Sequence, residues 1–212
     1  MRVLCLMPHP DDCEILCAGT LLKLKEAGCE IHIATLTPGD KGSVSLPPDQ
    51  IASIRRTEAQ NAASVLGAIS YTCLEFRDLE IVFDNPSRKQ VANLLRRIQP
   101  DVVFTTPPQD YMADHEITSS LVRDACFNAG VPNYNTEDDL PPLSKVPHLY
   151  YSDPIGGENL FGEPAIYSVI VDISNVIDKK AEALACHASQ REWLRSQHGI
   201  DEYIDAMKRW SA

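Results

Sequence analysis

Short apolar runs alternating with stretches of helical periodicity constrain this chain more than any other feature. Residues 2–7 (RVLCLM) and 101–106 (DVVFTT) read as strands buried on both faces, as a parallel sheet requires, and 30–37 (EIHIATLT) reads as another. Between them, 12–27 carry a helical pattern with Ile15, Leu16, Leu22 and Leu24, stopped by Gly28. Further helices are predicted over 49–66, with Asp49 as its cap and Gly67 past its end, over 87–98, capped by Ser87, and over 115–128. Strands are predicted at 71–77, 148–153 (HLYYSD) and 165–173 (AIYSVIVDI). A helix over about 174–195 and a shorter one after Gly199 close the chain. Strand–helix alternation joined by right-handed crossovers gives an α/β, doubly wound, mostly parallel sheet. The 212 residues suit a single domain, 1–212, with a loop excursion at about 130–165 that begins in a Pro-, Asn- and Asp-rich stretch.

The net charge of −11 repels phosphate backbones and anionic lipid, so no nucleic-acid or membrane binding is expected through charge. No run approaches a membrane span. The seven cysteines (5, 13, 17, 29, 73, 126 and 186) are odd in number, contain no CxxC pair, and lie partly in apolar runs. They read as buried reduced thiols, which implies a cytoplasmic compartment.

Open α/β sheets bind ligands outside the carboxyl ends of their strands. That directs attention to the loops at 8–14, 38–48 and 107–115. The first reads Pro8-His9-Pro10-Asp11-Asp12-Cys13-Glu14. Its prolines stiffen it, so His9 and Asp12 can aim at one point while Asp11 projects elsewhere. Helix capping is the alternative role for either aspartate, and a plain surface histidine the alternative for His9. The third loop brings His115 to the start of a helix, on the same crevice. Two imidazoles and one carboxylate make a three-ligand set with an open water position, the arrangement of catalytic zinc, and the same triad can hold iron(II) or another divalent ion instead. No GxGxxG or GxxxxGK[ST] motif occurs, which disfavours a nucleotide-binding protein.

His9-Pro10-Asp11-Asp12 with Glu14 resembles the HPDDxE motif of the LmbE-like deacetylases, also called the PIG-L family after the N-acetylglucosaminyl-phosphatidylinositol de-N-acetylases. Thr37-Pro38-Gly39-Asp40 resembles that family's TxGD loop. Arg55-Arg56-Thr57-Glu58, followed by Ala62, Leu66 and Gly67, resembles its RxxE helix. Leu149-Tyr150-Tyr151 and Ala185-Cys186-His187-Ala188-Ser189-Gln190 resemble later segments. The resemblance implies a three-layer, Rossmann-like fold and a zinc-dependent hydrolase that removes acetyl from an N-acetylated amino sugar or small glycoside. It also implies His9, Asp12 and His115 as metal ligands, a metal-bound water as nucleophile and Asp11 as general base. Glu14 then supports the site from behind, Asp114 orients a liganding imidazole, and Arg55 contacts substrate. An ion pair with Glu58 on the same helix is the other reading of Arg55.

One departure matters. The family's second motif reads HPDH, and here Met112 stands where its first histidine belongs. Tyr111, His148 and His187 are the candidates to replace it. Two alternatives follow: a metal-dependent amidase on a non-sugar substrate, and a non-catalytic sugar- or metal-binding protein. The expected partner is a small N-acetylated substrate, and a homo-oligomer is left open.

Overall fold

A computed structural model describes residues 1–198 and 202–211. Five parallel strands form one sheet in the order β3-β2-β1-β4-β5: β1 Arg2–Met7, β2 Glu30–Thr35, β3 Ser70–Cys73, β4 Val102–Thr105 and β5 His148–Tyr151. The side-chain alternation of β1 explains its unbroken apolar run. Leu4 and Leu6 enter one core with helices α4 (Asn85–Ile98) and α5 (Ala113–Asn128). Val3, Cys5 and Met7 enter the opposite core with α1 (Asp12–Leu16), α2 (Ala18–Glu26), α3 (Pro48–Leu66) and α6 (Ile177–Leu184). The result is the expected three-layer α/β architecture. A third, small cluster around Leu184 and Met207 anchors α8 (Tyr203–Trp210), with Leu194 of α7 (Ala188–His198) against it. Among the described residues no helix is long and apolar enough to cross a membrane.

Strand order reverses direction between β1 and β4. The loops that leave these neighbouring strands therefore diverge to opposite faces and open a crevice at their carboxyl ends.

Several local expectations are corrected. The helix over 12–27 is divided at Cys17, where the backbone turns to φ −118°, ψ −16°. Asp49 caps nothing; Pro47 holds the N-cap of α3 with Pro48 just inside, where the missing N–H costs no hydrogen bond. Asp84, not Ser87, caps α4, its carboxylate accepting from Ser87 N at 2.9 Å. Residues 165–173 are not a strand: the run makes no ladder with the open edge of β5, and Ile166 is fully exposed. The helix over 174–195 is two, α6 and α7, broken at 185–187 by the turn that sends His187 inward. The last helix appears as α8, while Gly199 lies outside the described residues.

Candidate metal centre

Strand β1 ends at Met7, and the loop Pro8–Asp11 delivers the first cluster. Thr37, past β2, clamps that loop by donating its hydroxyl to Pro8 O at 3.1 Å. Asp11 sits in the left-handed region, φ 101°, ψ −29°, a costly conformation for an aspartate and one concentrated at functional sites. It occupies the N-cap position of α1, yet its carboxylate caps no helical N–H. Asp12 folds back instead, accepting from His9 N at 2.9 Å. The capping alternative therefore does not describe either side chain.

His9, Asp12 and His115 converge. His9 Nδ1 lies 3.3 Å and His115 Nε2 3.6 Å from the same oxygen, Asp12 Oδ2. All three are buried, and their donor atoms lie within 4.8 Å of one another. The opposite ring nitrogens meet carboxylates. His9 Nε2 is 3.0 Å from Asp78 Oδ1 and 3.2 Å from Asp114 Oδ2; His115 Nδ1 is 3.1 Å from Asp110 Oδ2, without the alignment of a hydrogen bond. Asp114 is itself held by Leu79 N at 2.7 Å, and Asp78 N donates to Asp40 at 2.8 Å.

Four buried carboxylates (Asp12, Asp78, Asp110 and Asp114) thus surround two imidazoles. Buried negative charge on that scale demands a positive partner. In the metal-free protein the imidazoles supply it. Burial opposes their charging, but Asp114, Asp12 and Asp78 hold His9 well above the ordinary imidazole range, and Asp12 and Asp110 raise His115. Asp12, despite burial, is pulled down to about 2 by His115 and His9. The donor set, with imidazoles backed by carboxylates, fits a divalent cation.

Asp11 stands beside this centre with two unrelated donors on one oxygen: the Tyr203 hydroxyl at 2.7 Å and Arg55 Nη2 at 3.4 Å. Burial pushes the Asp11 carboxyl up, and Arg55 and Tyr203 draw it partly back. Arg55 is buried and donates to Pro10 O at 2.6 Å and Gly39 O at 3.3 Å. It makes no pair with Glu58, which instead accepts from Ser189 N at 2.8 Å and Ser189 Oγ at 2.6 Å. Gly39, at φ +69°, leaves the space the guanidinium crosses; a Cβ there would lie 2.1 Å from Arg55 Nη1.

The remaining candidates separate. Glu14 and His187 face each other, Oε2 to Nε2 at 3.3 Å, both buried behind Asp11 and neither lining the cleft. His148 opens β5 opposite Val102, at the amino end of the sheet and away from the site. Tyr111 does line the cleft, its ring edge-on to His115 at 5.6 Å. Sequence reasoning missed Asp78, Asp110 and Tyr203. Asp78 follows β3 and Asp110 sits four positions before Asp114, so both lay in strand-end loops that invited attention. Nothing local marked Tyr203, which reaches Asp11 across 192 positions.

These groups open into a cleft of about 630 Å³. Residues 4–126 match the family model described as GlcNAc-PI de-N-acetylase, PIG-L. The chain is 31% identical over 200 residues to a diacetylchitobiose deacetylase of Thermococcus kodakarensis, covering 89% of this chain and 70% of that protein. It is 26% identical over 190 residues to a 4-oxalmesaconate hydratase of Pseudomonas putida, covering 86% and 71%. The solved structure of N,N'-diacetylchitobiose deacetylase from Pyrococcus horikoshii, in complex with its inhibitor, is similar with a TM-score of 0.79 at 30% identity, covering 96% of this chain and 76% of that one. With more than half of its length matched to the family model and the same fold as its deacetylase relatives, which are amide hydrolases, the chain is a member of the PIG-L, or LmbE-like, family.

Proposed function

We propose that this protein is a divalent-metal-dependent N-deacetylase acting on a small N-acetylated amino sugar or glycoside. The observation that carries the reading is the convergence of His9, Asp12 and His115 beside an aspartate, Asp11, that is not among them and faces the same cleft. The deacetylase relatives support the chemistry. A divalent ion on those three side chains, zinc or iron(II), supplies a Lewis acid that polarises a carbonyl and acidifies water.

The chain's own groups do the rest. Asp11 takes a proton from the attacking water, the amide C–N bond breaks, and the departing amine takes that proton, leaving acetate and a free amine. Tyr203 and Arg55 hold the Asp11 carboxylate in place. Asp78 and Asp114 fix the ring of His9, and Asp110 faces that of His115. Tyr111 and Tyr203 are the hydroxyl-bearing side chains that line the cleft in a site where Met112 can donate no proton.

The test is acetate release from N-acetylglucosamine and N,N'-diacetylchitobiose by purified protein of measured metal content. Turnover that requires the metal is expected. A metal-loaded protein that releases acetate from no member of a broad N-acetyl panel overturns the reading. Met112 favours one second reading, hydrolysis of a non-sugar amide, and the same panel separates the two.

A further inference from the structure

We propose that the cleft carries a hydrophobic subsite beside its reaction centre, filled by a hydrocarbon or aryl group of the N-acyl substrate; this rests on the amide-hydrolase reading above. The two tryptophans of the chain both line this one cleft, Trp193 from α7 and Trp210 from the last turn of α8. Ile15, Ile155 and Leu194 continue the same wall. Trp210 keeps half of its surface exposed, a large apolar face turned to a cavity.

Three polar side chains along this wall hold internal bonds. Lys41 Nζ is held by Asp78 O and by the Glu80 carboxylate. Gln190 Nε2 donates to Gly42 O at 3.1 Å, and Glu202 accepts from Arg209 at 2.9 Å. A bare sugar needs several partners for its hydroxyls, and on this side of the cleft Lys41 Nζ, Gln190 Nε2 and one Glu202 oxygen are held in internal bonds. The wall offers aromatic and aliphatic surface instead. The volume, about 630 Å³, is also about twice the roughly 300 Å³ at which small-ligand pockets begin. Because the apolar wall and the reaction centre belong to one cleft, its occupant is part of the substrate. That group belongs either to the amine half, as an aglycone, or to the acyl half, as a longer chain.

Two homologous series test this with the metal-loaded enzyme: methyl, butyl and hexyl glycosides of N-acetylglucosamine, and glucosamine carrying acetyl, butyryl or hexanoyl. Each buried methylene is worth roughly a factor of four. Half-effective burial therefore lifts kcat/KM by at least about thirtyfold from methyl to hexyl in the glycoside series. A gain along that series places the group on the amine half, and a gain along the acyl series places it on the acyl half. Trp210→Ser, at a half-exposed site, is expected to cut the hexyl-to-methyl ratio by at least about fivefold. Titrating the metal-free protein with the hexyl glycoside gives a readout independent of catalysis: tryptophan emission shifts to the blue, whereas the methyl glycoside leaves it in place. Flat kcat/KM along both series with unshifted emission overturns the subsite and leaves the deacetylase reading intact. A hexyl-dependent emission shift with no turnover of any member upholds the subsite and overturns that reading.

Discussion

At the scale of single residues the site is defined by charge that cannot stand alone. Asp11→Asn keeps the shape of the side chain and removes its basicity. It is expected to lower kcat by about 10²–10⁴-fold while metal stoichiometry, read by elemental analysis, stays near that of the parent. Asp114→Asn and Asp78→Asn strip the carboxylates from the far nitrogen of His9 and are expected to weaken metal affinity by about 10–100-fold, measured by chelator competition. On the proposed reading, proton and metal compete for the same imidazoles. Both histidines have folded pKa values above the unfolded one, so in the metal-free protein their stabilising charge is fully present below about 6.5. That contribution disappears as pH rises through the raised folded values. Metal affinity therefore climbs over the same window, and calorimetry in buffers of different ionisation enthalpy is expected to show protons released on binding. Proton-neutral binding near pH 6 is the result that contradicts this.

At the scale of elements, the site depends on pieces that meet only through packing. Helix α8 brings the Tyr203 hydroxyl to Asp11, while the ring beneath it packs with Leu184 and Met207. Tyr203→Phe preserves that packing. It is expected to lower kcat by roughly tenfold, the scale of one hydrogen bond to a charged group, and to lower Tm by only a few degrees. An unchanged kcat shows that Asp11 is held by Arg55 alone. The turn after β2 is constrained in the opposite sense. Gly39→Ala meets both a positive φ and the guanidinium of Arg55, and a loss of about 1–3 kcal/mol by denaturant titration is expected. Elements also account for most of the corrections. The broken helix at 185–187 and the unpaired run at 165–173 both have the local pattern of regular structure. The first is interrupted where His187 turns toward Glu14, and the second makes no ladder with the open edge of β5.

At the scale of the whole molecule, one sheet links the two halves of the centre. The order β3-β2-β1-β4-β5 makes β1 and β4 neighbours, so loops separated by about a hundred positions emerge side by side. A cation bound there ties together β1, α1 and α5, and chelation is expected to lower Tm by more than any single change in the surrounding carboxylates. At free metal about a thousandfold above Kd the linkage is worth about 4 kcal/mol. Differential scanning with and without chelator measures it, and coincident transitions argue against a metal within the fold.

Much of this was legible in the linear chain. The strands 2–7 and 101–106 were readable because a strand buried on both faces reads as one apolar run, and 30–37 because Ile31 and Ile33 alternate with Glu30 and His32. His9, Asp12 and His115 were readable because the rule for open α/β sheets says which loops face the crevice. Those are local or topological facts, and residue order states them. Asp78, Asp110 and the grip of Tyr203 on Asp11 were settled only in three dimensions. An aspartate in a loop looks the same whether it faces water or an imidazole, and a tyrosine 192 positions away leaves no periodic trace of its partner. Local composition determines which segments can be strands and helices. Which buried charges meet is decided by how those segments pack, because burial, not sequence spacing, makes their pairing obligatory.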